Sequence, residues 1–275
     1  MAEPSPEQRV AKLFDLIASE YDTTGVPFFQ PIADGLLASL ALHPGEDLLD
    51  VGCGRGAVLL PAAEAVAPGR AVGIDISPVM VDLAGTAAEE RGLANAEVRQ
   101  GSAMSPDVSP SSFDVIASSL VLFFLPDASA ALRSWLPILR PSGRVGVTTF
   151  GQADAAWQHV DAVLAPYLPQ MDARSSGAIG PFASDEGMEQ LLRDAGYADV
   201  RTVSQLLDVH FADPDTWYRF SMTLGQRAAW LAMPDDVRAE ARRETTRRLQ
   251  ELAAPDGSIT LRQVVRHSLG TRPTG

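Results

Sequence analysis

Asp47-Leu48-Leu49-Asp50-Val51-Gly52-Cys53-Gly54-Arg55-Gly56-Ala57 reads as a short apolar strand, a glycine turn and the entry to a helix. Leu48, Leu49 and Val51 suit a strand buried on both faces, as a parallel sheet requires. Gly52, Gly54 and Gly56 let the chain turn sharply and let a ligand approach with no Cβ in its way. The helix that follows, Ala57 to Ala67, would turn its free N–H groups toward that ligand. Pro61 falls early enough in this helix for its missing N–H to cost little. The spacing Gly52-x-Gly54-x-x-Ala57 also satisfies a dinucleotide-binding fingerprint. Asp50, at the mouth of the strand, would oppose a pyrophosphate with a like charge but attract an ammonium or sulfonium. The pattern therefore favours a cationic nucleoside, with a dinucleotide or a ligand-free glycine turn as alternatives.

Working outward, Ala71-Val72-Gly73-Ile74-Asp75 is a second buried strand ending in a carboxylate. Strand ends line the crevice of an open α/β sheet, so Asp75 is placed to accept from both hydroxyls of a ribose. Ser77-Pro78 is an N-cap followed by proline at the first helical position, and Gly92 stops that helix after Arg91. Further strands are expected at 96–100, 113–118 and 145–150, with a helix at 128–139, the alternation of a parallel sheet. Before the glycine strand, 6–21 reads as an amphipathic helix with Val10, Leu13, Phe14 and Ile17 on one stripe. A loop at 21–27 and a second helix at 31–42 follow, stopped by His43-Pro44-Gly45. Beyond Phe150 the pattern predicts an inserted helix at 153–168, a helix at 184–195 and a strand at 199–210. Two helices at 214–231 and 234–252 and a final strand at 258–268 complete the chain.

The 275 residues are 46% hydrophobic, enough for one large core or one domain with an inserted cap. A net charge of −13 argues against a nucleic-acid binder, which needs a basic face. Arg238, Arg242, Arg243, Arg247 and Arg248 cluster, but Glu240, Glu244 and Glu251 interleave with them as on a solvated helix face. Cys53 is the single cysteine, which excludes an intrachain disulfide and a cysteine metal cluster. No paired Asp/His set suggests a metal site. With no signal peptide or membrane-length apolar run, a soluble cytoplasmic protein is expected, without membrane partners. Nothing in the sequence separates a monomer from a homodimer.

Leu48-Leu49-Asp50-Val51-Gly52-Cys53-Gly54-Arg55-Gly56, then Val72-Gly73-Ile74-Asp75-Ile76-Ser77-Pro78-x-Met80, resembles the class I S-adenosylmethionine-dependent methyltransferases. The likeness is greatest to the branch that methylates small molecules, including quinone and natural-product enzymes. It runs from about Pro44 to Phe150, through Phe113-Asp114-Val115-Ile116 and the turn Arg140-Pro141-Ser142-Gly143. It implies a Rossmann-like, seven-stranded, mainly parallel sheet with helices on both faces and an antiparallel last strand. Residues 1–43 would form an N-terminal helical lid segment and 44–275 the methyltransferase core, with helical insertions near 153–170 and 214–253. The implied cofactor is S-adenosyl-L-methionine, leaving as S-adenosyl-L-homocysteine, with no metal.

The resemblance assigns the methionine end of the cofactor to Asp50, Gly52, Gly54 and Gly56, the ribose to Asp75, and adenine packing to Ile76. Cys53 and Met80 lie in the matched stretches and are placed with this set, as are Ser102, Ala103 and Ser118. The family often has Gly-Asp-Ala where this chain has Gly101-Ser102-Ala103, with the acid on the adenine amino group. A serine hydroxyl can still accept there, from closer in and without charge. The Asn/Asp-Pro-Pro-Tyr/Phe signature of base or glutamine methylation is replaced by Val121-Leu122-Phe123-Phe124-Leu125-Pro126.

The expected function is methylation of a small, largely apolar metabolite at O, N or C by in-line displacement, as in secondary metabolism. The alternative keeps the cofactor pocket and catalyses a cyclisation or isomerisation. An acceptor proton could be taken by His159, His210 or Tyr21, and Tyr21 could also close over the cofactor. Trp157, Tyr167, Phe211, Trp217, Tyr218, Phe220 and Met222 are expected to line the acceptor pocket, although large apolar residues are more often core.

Overall fold

The computed structural model describes residues 5–18, 24–168, 177 and 179–274. Its strands are β1 (Leu48–Val51), β2 (Ala71–Asp75), β3 (Ala96–Gln100), β4 (Phe113–Ser119), β5 (Leu139–Ala153), β6 (Ala198–Phe211) and β7 (Ile259–Thr271). They form one sheet in the order β3-β2-β1-β4-β5-β7-β6. β1 to β5 pair in parallel, and β7 runs antiparallel to both β5 and β6. The chain leaves β1 for β2 on one side and returns to β4 on the other. Ligand crevices open at such a reversal, beyond the carboxyl ends of the strands.

Alternation along β1 splits its apolar residues between two cores. Leu48 joins Leu36, Leu59, Ala62 and Ala117 on one face, while Leu49 and Val51 join Ile74, Ile116 and Trp135 on the other. Period-two geometry then puts Asp50 on the face of Leu48. The helices over that face are α2 (Phe29–Leu40), on β4, β5, β6 and β7, and α3 (Leu59–Val66), on β1, β2 and β3. α4 (Pro78–Glu90) packs on β2 and β3. α5 (Ala128–Trp135) sends the Trp135 indole N–H to the Ala103 carbonyl at 2.7 Å, which fixes the loop after β3.

α1 (Pro6–Ile17) lies against α4 rather than the sheet. Ser5 and Gln8 close a capping box at its start, each side chain bonded to the other's backbone N–H. Such a cap contributes about 1 kcal/mol, enough to fix the first turn. Of residues 1–43, then, α1 lies at the crevice while α2 is part of the sheet's helical layer.

The second half departs from the sequence expectation at several boundaries. β5 runs on to Ala153 because β7 offers it a partner along that length, through Ala153 opposite Gln263. Asp154 then caps a short α6 (Ala155–Asp161). α7 (Asp185–Asp194) is capped by Ser184 and packs on β6 and β7. The helix expected across 214–231 is two, α8 (Pro214–Ser221) and α9 (Gln226–Ala232), parted at Thr223-Leu224-Gly225. α10 (Asp235–Leu252) packs on α6 and α8. No helix among the described residues is long and apolar enough to cross a membrane.

Candidate active site

The glycine turn holds its shape by two backbone bonds, Gly52 N–H and Cys53 N–H both donating to the Ile74 carbonyl at 2.8 and 3.0 Å. Gly52 has φ +76°, and a Cβ there would meet a Val121 methyl at 2.4 Å. Gly54, at φ +52°, points its absent side chain into open space and donates its N–H to Asp75 Oδ2 at 2.9 Å. Only glycine meets both demands without strain. Asp75 Oδ1 accepts from the Ser77 N–H at 2.9 Å, so two amides orient the carboxylate and leave lone pairs toward the crevice.

Asp50 is different. It is 1% exposed, and neither carboxylate oxygen has a hydrogen-bond partner among the described residues. Burial, and next the charge of Asp75, push its carboxyl up to about 8. The Leu59 amide at the start of α3 offsets part of this without reaching hydrogen-bond geometry. Burial also raises Asp75, against the pull of the Ser77 and Gly54 amides, and raises the Cys53 thiol well above its ordinary range. Cys53 is therefore a buried, protonated turn residue rather than a nucleophile. An unpaired buried carboxyl beside a second acid is costly to keep, and a cation delivered to it removes that cost.

Beyond these acids lies a crevice of about 800 Å³, its mouth included. Gly52, Gly54, Asp75, Ile76, Met80 and Ala103 line it, whereas Asp50, Cys53 and Ser102 do not. Gly56 stands behind the turn, against Leu60. Ser118 ties β4 to β1 by donating to the Val51 carbonyl at 2.8 Å, and its neighbour Ser119 reaches the crevice instead. The Ser102 hydroxyl accepts from the Met104 N–H and donates to the Glu7 carboxylate. Glu7, Val10 and Phe14 of α1, Phe29 of α2, and Val121 with Phe124-Leu125-Pro126 complete the wall. Among the described residues the lining carries no lysine, arginine or histidine. Among the described residues no group of three or more His, Cys, Asp or Glu could hold a metal ion.

Residues 48–143 match the methyltransferase domain family. The chain is 37% identical to the nocamycin O-methyltransferase of Saccharothrix syringae, over 96% of this chain and 99% of that one. The chain belongs to the S-adenosylmethionine-dependent methyltransferases. It is also 38% identical to the aklanonic acid methyltransferase DauC of Streptomyces sp. (strain C5), over 62% of this chain and 78% of that one. Among solved structures it shares its fold with the cyclase SpnF, with a TM-score of 0.61 at 22% identity, covering 100% of this chain and 99% of the other.

Orphaned Asp50 oxygens, a glycine cradle and a flat apolar slot fit the parts of S-adenosylmethionine: ammonium, amino-acid chain and base. The other predicted site residues of this methyltransferase lie elsewhere. His159 is 47% exposed on α6, 3.8 Å from Glu251, and His210 is exposed on edge strand β6 with Nδ1 2.9 Å from the Thr260 hydroxyl. Neither lines the crevice. Tyr21 lies outside the described residues. Trp157, Phe211, Trp217 and Phe220 are buried in the core, where Phe28 and Phe150 join them. Phe220, for instance, sits edge-on to Phe28 and Phe211 at 5.2 and 5.3 Å. Tyr218 packs on Trp230 under the Arg242 guanidinium, Met222 packs on the core margin, and Tyr167 is 37% exposed. The physical reason is amphipathic packing: helices inserted between β6 and β7 must bury their largest side chains, and they bury them on one another. The aromatic wall of the crevice comes instead from α1, α2 and the turn after β4.

His267 is the buried histidine. It bridges the Thr148 hydroxyl (3.0 Å) and Gln205 (2.9 Å) across β5, β7 and β6, and burial lowers it to about 4. It is a neutral strut under α2, whose Gly35 leaves room for it.

Proposed function

We propose that this methyltransferase methylates an oxygen of a small, largely apolar natural product. The observation that carries the reading is a crevice lined by two contrasting sets of residues. One set is the glycine turn with Asp75, behind which Asp50 lies buried. The other is the apolar wall of Phe29, Val121, Phe124, Leu125 and Pro126. Two relatives that match most of their own length are named nocamycin O-methyltransferase and aklanonic acid methyltransferase, which supports the same acceptor class.

S-adenosylmethionine, when bound, supplies an electrophilic methyl group on a sulfonium. The chain's own residues then bind, orient and desolvate. Asp50, buried behind the glycine turn, would draw an ammonium toward it, and Asp75 on the wall would hold a vicinal diol. Ile76, Met80 and Ala103 offer apolar surface to a flat base. The apolar wall excludes water from the line of attack, where orientation alone can supply several kcal/mol of the barrier. The described lining holds no imidazole or amine to take a proton.

Incubation with S-adenosylmethionine and aklanonic acid, or other largely apolar hydroxy and carboxy compounds, tests this. The expected product gains one methylene in mass and forms with equimolar S-adenosylhomocysteine. Turnover of an acceptor at undiminished rate with S-adenosylhomocysteine in place of the donor would contradict it and favour a cyclisation or isomerisation.

A further inference from the structure

α1 presents Glu7, Val10 and Phe14 to the crevice, spaced three and four residues apart on one face. Two of these are apolar and one is a carboxylate. Charges on the inward stripe of a lid helix are costly unless something receives them. Ser102, at the crevice end of β3, donates its hydroxyl to Glu7 Oε1. No hydrogen bond to Glu7 Oε2 is made by the described residues. The surface next to this carboxylate is apolar and flat, made by Ile76, Met80 and Ala103. Asp75, the other acid on the wall, already accepts two amides.

Glu7 is also held in place from both directions. The Ser5–Gln8 capping box fixes the turn that carries it. At the far end of the same helix, Asp15 Oδ1 accepts from the Ser77 hydroxyl at 2.5 Å, and Phe14 sits edge-on to Phe124 at 5.3 Å. A carboxylate so positioned on the rim of an apolar slot selects a planar heterocycle with an amino group on its edge. It repels one with a carbonyl oxygen there.

We infer that Glu7, oriented by Ser102, is the specificity residue for the exocyclic amine of the nucleoside base, so that base recognition and docking of α1 are one event. This rests on the S-adenosylmethionine reading of the crevice. The serine at position 102 is then no loss: the carboxylate comes from the N-terminal helix, and the serine holds it.

Calorimetric titration with S-adenosylhomocysteine and its deaminated analogue S-inosylhomocysteine tests the inference. The parent protein is expected to prefer the adenosyl form by about 30-fold or more, the discrimination of a charged acceptor against a repelled carbonyl. Glu7→Gln, whose amide can donate to the carbonyl, should weaken the adenosyl form about 10-fold or more and strengthen the inosyl form. Ser102→Ala should give a smaller loss of discrimination. Equal weakening of both ligands by Glu7→Gln would mean that Glu7 only holds the helix, and would overturn the inference. So would unchanged affinities. A parent protein that binds neither nucleoside would overturn the cofactor reading, and this inference with it. A parent that binds the adenosyl form with no preference over the inosyl form would overturn the inference alone.

Discussion

The glycine crevice and the aromatic cluster beneath the inserted helices are both buried, and they are built in opposite ways. In the cluster, Phe28, Phe150, Phe211 and Phe220 meet ring on ring, and all but the partly buried Phe150 are sealed within the chain. At the crevice, Asp50 is buried behind the glycine turn with no partner among the described residues, burial pushes the Asp75 carboxyl up against the pull of two amides, and Gly54 faces space that no side chain fills. The cluster is finished; the crevice is finished only by a ligand. A buried carboxyl with both oxygens unpartnered among the described residues, beside a second acid, rather than aromatic content, marks the crevice.

The largest effect should come from the cluster, and on stability alone. Phe220→Ala removes a ring packed between two others and should cost about 3–5 kcal/mol in urea unfolding. The affinity of the variant's folded fraction for S-adenosylhomocysteine should stay within about two-fold, because Phe220 does not touch the crevice. Next comes Asp50→Asn, which should weaken S-adenosylhomocysteine on the order of 100-fold, the cost of losing a buried charge partner. A loss of affinity in the first variant larger than in the second would erase the distinction between the two regions.

The same substitution sharpens it from the stability side. In the ligand-free fold Asp50 keeps its proton up to about pH 8, whereas the unfolded chain releases it in the ordinary carboxylate range. The folded state thus binds the extra proton, and stability falls as pH rises through that window. The Tm of Asp50→Asn relative to the parent should therefore rise from about pH 5 to about pH 8 in ligand-free protein. A constant difference would mean that Asp50 is not strained by its burial. The smallest effect belongs to the exposed histidines. His159→Ala and His210→Ala should each leave kcat/KM within about two-fold, as for surface positions away from a site. A loss of a hundredfold or more in either would place a proton acceptor where the crevice does not reach.

How much of this was legible in the sequence follows the same division. β1 and β2 could be read because a doubly buried parallel strand is an unbroken apolar run, and an acid at its end is conspicuous. The glycine turn followed from that frame, while Ile76, Met80 and Ala103 came from the family resemblance. The acceptor wall could not be read in the same way. Tryptophans and tyrosines beyond Phe150 look like a pocket lining, but a large apolar side chain is buried wherever its helix packs. Phe124 and Pro126 stood out only as part of an apolar stretch, and nothing in the sequence singled out Phe29. Glu7 carried one local signal, the Ser5-x-x-Gln8 capping box that starts its helix, but its contact with Ser102 spans 95 residues and no local pattern encodes it. The break at Thr223-Leu224-Gly225 was visible only as one glycine, and the extension of β5 only once its partner β7 was in place.

The account rests on Asp50 as a buried acid held for a cation, and proton release on binding tests that most directly. Titration with S-adenosylhomocysteine near pH 7, in buffers of different ionisation enthalpy, counts the protons exchanged. The parent should release about one proton per site as Asp50 ionises against the incoming ammonium, and Asp50→Asn should release almost none. Tight binding by the parent with no proton released, or the same release from Asp50→Asn, would contradict it.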